Sequence, residues 1–226
     1  MNRFFNMDSP FFIFMSKVAD LFILNLLCLI CCIPIITIGA SVTAMYYVTL
    51  KMARNEESYV VKSFFKSFKE NFRQATILHL ISVLIGVVVY IDYIFFLSLN
   101  SNGTASVLQK IIMIIFLVTV LFLFFTYLYI YPLLSRFYNS VSMTMRNAFY
   151  MSIRHLPRTL LIALTSILPI GLLFIPVAQV QAFMIPLLLF FGLAGIAAIN
   201  SKSFVKIFDQ YTETDDKNES ANNTME

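Results

Sequence analysis

The chain has 226 residues, of which 59% are hydrophobic and only 12% are charged, whereas about a quarter of the residues in a soluble domain are charged. Its mean hydropathy is +0.82. These values exclude an ordinary soluble protein and predict an integral membrane protein. The net charge of +4 is explained more simply by basic cytoplasmic loops than by a nucleic-acid-binding surface, so no nucleic-acid partner is expected.

Long apolar windows with few or no charged residues predict the membrane spans. A helix needs roughly 20 apolar residues to cross about 30 Å of hydrocarbon. On this criterion we predict five spans, at residues 18–38, 77–99, 111–134, 159–177 and 182–199, the last two separated near Pro176, Gln179 and Gln181. The predicted fold is an all-α polytopic membrane helical bundle. It forms a single domain over residues 1–205, and an acidic, disordered cytoplasmic tail follows at 206–226.

Lysine and arginine predict the orientation of the spans. Six of these residues lie in segment 40–76, and four lie in segment 135–158, which has no acidic residue. Because basic loops stay in the cytoplasm, both segments should be cytoplasmic. The five-span prediction therefore places the N-terminus outside and the C-terminus in the cytoplasm.

The segment after the first span allows two interpretations. In the first, Pro34 ends the helix, Gly39 permits a turn, and residues 40–54 lie along the inner headgroups with Tyr46 and Tyr47 as anchors. In the second, residues 40–52 run back as a short sixth span, and both termini are cytoplasmic. Thirteen residues cover only about 20 Å as a helix, so length favours the first interpretation.

Segment 58–75 has the pattern of an amphipathic helix. Apolar residues recur at spacings of three and four, among them Phe64, Phe65, Phe68 and Phe72, while lysines and an arginine occupy the other face. We expect this helix to lie in the inner interface, with its aromatic side toward the lipid, and to continue into the second span.

Three polar residues inside the predicted spans are candidates for an intramembrane site: Asp20, Asn25 and Asp92. Polar groups are costly in hydrocarbon and usually face a partner or a cavity. Asp92 is the deepest acid, and a transporter could use it to bind protons or cations. In a structural protein it would only form a hydrogen bond or reach the outer headgroups.

Catalytic and metal-binding patterns are missing from the sequence. Cys28, Cys31 and Cys32 lie in one apolar segment without a second pair of ligands for zinc. His79 and His155 have no metalloprotease spacing, and no nucleophile elbow or phosphate-binding glycine loop is present. We therefore expect no enzymatic activity, no metal and no cofactor.

Two blocks of sequence resemble the YesL-like family of bacterial membrane proteins, a domain of unknown function. The first block, residues 25–76, begins NLLCLICCIPIITIGASVTAMYYVTLK, and the second, residues 131–161, begins YPLLSRFYNSVSMTMRNAFY. The matching positions that we take as family-motif or interfacial candidates are Pro34, Thr37, Gly39, Phe65, Phe68, Asn71, Pro132, Arg136, Asn147 and Pro157. Family members often have a tryptophan in the first span, and this chain has none.

The resemblance implies a bacterial cell membrane and an association with carbohydrate uptake systems. One expected function is therefore an accessory or regulatory component of a carbohydrate ABC transport system, whose partners would be the lipid bilayer, the transporter subunits or a sensor kinase. The alternative is a small secondary transporter that uses an intramembrane carboxylate. A transporter would need an inward-facing polar lining, and the spans provide few residues for it.

Overall fold

The computed structural model describes residues 10–56, 59–100 and 107–223, and all the regular secondary structure in these ranges is helical. The predicted all-α fold is thus confirmed. In chain order the helices are α1 (Pro10–Cys31), a 3-10 turn (Ile35–Thr37), α2 (Ile38–Ala53), α3 (Val60–Asn100), α4 (Val107–Arg136), α5 (Val141–Arg154), α6 (Leu156–Leu172), α7 (Ala178–Leu187), a π-helical turn (Leu188–Gly192) and α8 (Leu193–Asn223).

Helices α1 and α2 form an antiparallel hairpin. Helix α1 ends at Cys31 rather than at residue 38, three residues before Pro34. The Thr37 hydroxyl closes the connection, because its single O–H lies within hydrogen-bond distance of two carbonyl oxygens, those of Cys31 at 2.5 Å and Pro34 at 2.7 Å. At the other end of the hairpin, Lys17 Nζ lies 3.2 Å from Asn55 Oδ1.

Helix α2 is buried in the bundle, so the prediction of an interfacial segment at 40–54 is wrong. Nine of its residues are buried, and it packs against α3, α8 and α4. It begins at Ile38, earlier than expected, and its 16 residues span about 24 Å. Together with the preceding turn it is long and apolar enough to count as a membrane span. The structure thus forms the hairpin of the second interpretation.

Gly39 has a different role from the predicted one. It lies in the first turn of α2, where a Cβ atom would stand 2.5 Å from the carbonyl oxygen of Ala75 and 2.9 Å from Cβ of His79. The residue is therefore needed for the close approach of α2 to α3, in the way that small residues serve helix interfaces in membranes. It lies within the helix and does not form the predicted turn between α1 and α2.

The amphipathic segment is the first part of α3, which begins at Val60 and continues without a break into the second predicted span; Ser58 lies outside the described residues. Its buried face consists of Val60, Phe64, Ser67 and Ala75, and α2 is the helix that α3 contacts most. Phe65 and Phe72 are exposed beside the basic residues. The aromatic side is thus divided between the protein core and the surface, because α2 covers part of it.

The remaining spans agree broadly with the predicted windows. Helix α4 covers the third predicted span. Helices α6 and α7 are separated by residues 173–177, which include Pro176. Five helices in the described residues are long and apolar enough to cross a membrane, and α5 with α6, bent by 102°, adds a sixth if the pair is one span. The apolar windows of α3 and α4 bury almost no side chains, as expected for helices that face lipid.

The packed core lies toward one end of the bundle. It brings α2 together with the first half of α3, the end of α4, α5, the start of α6 and α8. Ile207 and Phe208, which the sequence analysis assigns to the tail, are fully buried there. The packed domain therefore extends beyond residue 205, because α8 continues without interruption through this boundary.

Candidate functional site

Charged residues collect at the end of the bundle where the core lies. We call this region the basic end and define it by Lys51, Arg54, Arg136, Arg158 and Lys206. Lys51, Arg54 and Arg136 line one pocket, while Arg158 Nη1 donates to the Lys206 carbonyl oxygen at 3.2 Å. The start of α1 lies at this end too, through the contact of Lys17 with Asn55.

The pocket at the basic end lies between α2, α3, α4 and α8 and has a volume of about 210 Å³. Cations, acids, an amide and aromatic rings all contribute to its wall. The residues that line it include Tyr47, Lys51, Arg54, Glu56, Glu70, Asn71, Arg136, Phe137, Tyr138 and Phe208. We refer to it as the charged pocket.

Arg54 is a half-buried cation of the charged pocket, with 18% of its side chain exposed. Its guanidinium forms an ion pair with Asp209 of α8 and approaches Glu56 to 4.0 Å. Its Nε atom is buried and has no hydrogen-bond partner among the described residues. Because Arg54 and Asp209 are 155 residues apart, the pair ties the end of α2 to α8.

The other two cations are positioned more loosely. Lys51 Nζ lies 4.9 Å from the centre of the Tyr47 ring, within the range of a cation–π interaction. Arg136 ends α4 and is exposed. On the opposite wall, Asn71 Nδ2 donates to the Ser67 carbonyl oxygen at 3.1 Å. The motif candidates Asn71 and Arg136, 65 positions apart, thus meet in one pocket.

Asn25, one of the predicted polar candidates, has a structural role. It is fully buried, its Nδ2 donates to the Leu189 carbonyl oxygen at 2.8 Å, and its Oδ1 accepts from Ala194 N at 3.1 Å. The Leu189 carbonyl lies within the π-helical turn and the Ala194 N–H group lies just after it, where the regular pattern of α-helical hydrogen bonds is interrupted. The Asn25 amide therefore supplies both the donor and the acceptor that the interrupted helix needs.

The structure does not bring Asp20, Asn25 and Asp92 into one site. Asp20 is half-buried in an open groove beside Tyr59 and Lys62. Asp92 is exposed and lies on α3 about 45 Å along the helix from Lys62. The two carboxylates are therefore at different places on the bundle, and Asn25 is occupied by the backbone of another helix.

Several buried polar groups pair with one another inside the bundle. His79 Nδ1 lies 3.1 Å from the Tyr131 hydroxyl, and the Tyr129 hydroxyl lies 2.8 Å from Thr159 Oγ1. At the α5–α6 bend, His155 Nε2 lies 3.2 Å from the Tyr211 hydroxyl. Burial, with Arg158 and Arg154 nearby, lowers the pKa of His155. These pairs cross between helices and stabilise their packing.

The other motif candidates are spread over the helices. Pro34 precedes the 3-10 turn, Pro132 lies buried within α4, and Pro157 lies in the first turn of α6. Phe65 is exposed on α3, while Phe68 is half-buried and stacks on Phe64. Asn147 lies on α5 in a shallow groove with Tyr150 and Arg154. These positions shape the helices and their surfaces and form no common site.

Most of the charged pocket was not predicted from the sequence. Lys51 and Arg54 were interpreted only as basic residues that set the orientation. Glu70 was assigned to the polar face of the amphipathic segment and Asp209 to the acidic tail, while Glu56 had no assigned role. The sequence signal for this pocket was the presence of acidic residues within the basic segment 40–76. A segment that only sets the orientation of the chain needs no acidic residues. The pairing of Arg54 with Asp209 could not be read from the sequence, because it depends on how α8 packs.

Fold and sequence together define a polytopic α-helical membrane protein whose charges collect at one end. A family model described as "Protein of unknown function, DUF624" matches residues 21–93. This match spans α2, with parts of α1 and α3, and it includes the whole first block of the YesL-like resemblance; the second block lies outside it. No curated protein and no solved structure matches the chain.

Proposed function

We propose that the protein is a non-enzymatic accessory or regulatory component of the cell membrane that acts through its basic end, beside a carbohydrate ABC transport system. The observation that carries the accessory role is the concentration of charges and exposed aromatic rings at this end. The carbohydrate association rests on the YesL-like resemblance alone. A sensor kinase is the second partner that this resemblance suggests.

Helix α5 supplies the docking surface in this proposal. Phe149 and Tyr150 are exposed, Tyr150 by 63%, and Arg146 is exposed beside them. Aromatic and arginine side chains are enriched where proteins bind one another. The opposite face of α5 is fixed to the core through Ala148 and Met151, so the exposed face is presented on a rigid support.

The distribution of polar groups favours this role over the secondary transporter. A transporter needs polar groups that converge at mid-membrane depth. Here Asp92 is exposed, Asp20 lies in another groove, and Asn25 binds backbone atoms. The apolar windows of α3 and α4 offer lipid-facing surface rather than a lining.

For the orientation we propose six crossings with both termini in the cytoplasm. The support is the α1–α2 hairpin, which returns the chain to the basic end, and the contact of Lys17 with Asn55 there. Since basic segments stay in the cytoplasm, the start of α1 is then cytoplasmic too.

Photo-crosslinking in cells tests the docking surface. A photoreactive residue replaces Tyr150 on α5 or, as the control, Ile114, which is equally exposed on α4 but lies far from the basic end. We expect crosslinks to ABC transporter subunits from position 150 and not from position 114. Crosslinks to lipid alone at both positions would contradict the accessory role.

Uptake measurements separate the two functions. Loss of the chain should reduce sugar uptake by the ABC system, and both the wild type and Asp92→Leu should restore it, since Asp92 has no part in docking. The purified protein in proteoliposomes should move neither sugars nor cations under a pH gradient. Movement that Asp92→Leu abolishes would instead establish the secondary transporter.

A further inference from the structure

The charged pocket lies where the apolar parts of the helices end. Glu70 and Asn71 precede the apolar window of α3, and Arg136, Phe137 and Tyr138 follow the charge-free run of α4. In a membrane, such positions lie at the level of the lipid headgroups. The pocket is therefore placed to receive a polar group from the membrane surface or from the adjoining solution.

The charges in the pocket wall are of both signs. Arg54 is paired with Asp209 and lies 4.0 Å from Glu56, and the other cations of the wall are Lys51 and Arg136 and the other acid is Glu70. Together these cations and acids produce little net attraction for a simple anion. A ligand that carries both a positive and a negative group would satisfy both kinds of charge.

The cations suit a phosphate group. Arginine and lysine are the usual phosphate-binding side chains, and arginine can donate two parallel hydrogen bonds. Glu56 and Glu70 can accept from an ammonium group, and the Tyr138 ring in the same wall can also contact it.

The size of the pocket limits the ligand further. Its volume of about 210 Å³ is below the roughly 300–1,000 Å³ of pockets that enclose drug-sized molecules. It can hold a headgroup-sized unit, while acyl chains or a larger body would remain outside. The wall is rich in aromatic rings, which can pack against the short carbon linker of such a unit.

We propose that the charged pocket binds a phosphoamine group, a phosphate joined by a short linker to an ammonium, as in the headgroup of phosphatidylethanolamine. Lys51 and Arg136 contact the phosphate, and Glu56 and Glu70 contact the ammonium. The same chemistry occurs in soluble phosphoamines. This binding site does not depend on the proposed accessory role.

Binding to the purified full-length chain in detergent tests the proposal. Three probes are titrated by calorimetry: short-chain phosphatidylethanolamine, short-chain phosphatidylglycerol, which lacks the amine, and glycerophosphoethanolamine, which lacks the chains. We expect phosphatidylethanolamine to bind at least tenfold more tightly than phosphatidylglycerol. Equal affinity for glycerophosphoethanolamine indicates a soluble ligand, and much weaker affinity for it indicates the lipid; both results support the phosphoamine site.

Single substitutions test which residues bind the phosphate and which bind the ammonium. Lys51→Gln and Arg136→Gln should each lower the affinity for phosphatidylethanolamine at least fivefold, whereas Glu70→Gln should lower it for phosphatidylethanolamine and leave phosphatidylglycerol unchanged. Lys69→Gln is the matched control, because Lys69 is exposed next to Glu70 and does not line the pocket. Absence of binding by the wild type, equal affinity for the two lipids, or equal affinity of Lys69→Gln and Arg136→Gln would overturn the proposal.

Discussion

At the scale of single residues, Asn25 shows how a buried polar side chain can be explained without a ligand. Its amide pairs with a carbonyl oxygen and an N–H group of another helix at the π-helical turn. In hydrocarbon, water cannot replace these bonds, so both backbone groups depend on the side chain. Asn25 therefore stabilises the π-helical turn of the helix that packs against it.

Replacing Asn25 with alanine should destabilise the protein strongly. Each buried backbone group left unpaired costs about 1–3 kcal/mol, and a loss of this size lowers the melting temperature of a protein of this length by roughly 4 °C or more. Asn147→Ala is the control, because Asn147 is half-buried and its side chain makes no hydrogen bond among the described residues. The measurement is thermal unfolding in detergent, and equal melting temperatures for the two variants would contradict the bridging role.

Gly39 and Gly86 form a second pair for comparison. A Cβ at Gly39 would meet backbone atoms of α3 at 2.5 Å, whereas a Cβ at Gly86 would meet nothing within 4 Å. Gly39→Ala should therefore separate α2 from α3 and cost about 1–3 kcal/mol. Gly86→Ala should be neutral or stabilise α3 by up to about 1 kcal/mol, since alanine favours helices. Thermal unfolding distinguishes these results, and a stable Gly39→Ala variant would exclude the close approach.

At the scale of helices, the sequence predicts the existence of the long apolar helices better than their partners. Windows with few or no charges identify α3, α4 and the pair of helices after residue 159, because length and hydropathy decide whether a segment can cross a membrane. Helix α2 escapes this criterion. It is short and contains hydroxyl groups, and its burial depends on contacts with α3, α8 and α4 that no local pattern reports.

The charged pocket illustrates the same limit. Its wall comes from four helices, and the ion pair of Arg54 with Asp209 joins positions 155 residues apart. The sequence indicates that charges lie outside the apolar windows, but it does not show which of them meet. Gly39 was predicted as a turn residue because glycine often permits turns, yet here the packing of two helices requires it.

A double-mutant cycle measures the connection between α2 and α8. Arg54→Gln and Asp209→Asn each break the ion pair, and the double variant removes both charges. Because Asp209 is 46% exposed, solvent weakens the interaction, and we expect a coupling free energy of about 1 kcal/mol. Combining Arg54→Gln with Lys202→Gln, an exposed lysine on α8, should show no coupling. Coupling near zero in the first cycle would mean that the ion pair does not contribute to joining the helices, which the hydrogen bond of Ser201 Oγ to Thr49 Oγ1 and hydrophobic packing would then hold together.

At the scale of the whole molecule, the bundle has two unlike ends. One end contains the packed core and the charged pocket, while the apolar windows of α3 and α4 extend away from it with little burial. The charged groups are those that can meet water and headgroups, and the exposed apolar groups are those that can meet lipid. This asymmetry fixes the direction of the chain in the membrane once the side of the basic end is known.

Accessibility of single cysteines tests that direction. In a background without Cys28, Cys31 and Cys32, a cysteine replaces Ser16 at the start of α1, Ser142 on α5, or Ser106, which lies outside the described residues. With both termini in the cytoplasm, an impermeant maleimide should label only position 106 in intact cells, and positions 16 and 142 only after the membrane is opened.

The three positions separate the possible arrangements of the chain. Labelling at 16 and 106 but not at 142 in intact cells would restore the five-span orientation with an outside N-terminus, and α2 would then not cross the membrane. Labelling at 142 would place the basic end outside, against the distribution of lysine and arginine. Protection at 16, together with the contact of Lys17 and Asn55 at the basic end, requires that α1 leave the cytoplasmic side and that α2 return to it.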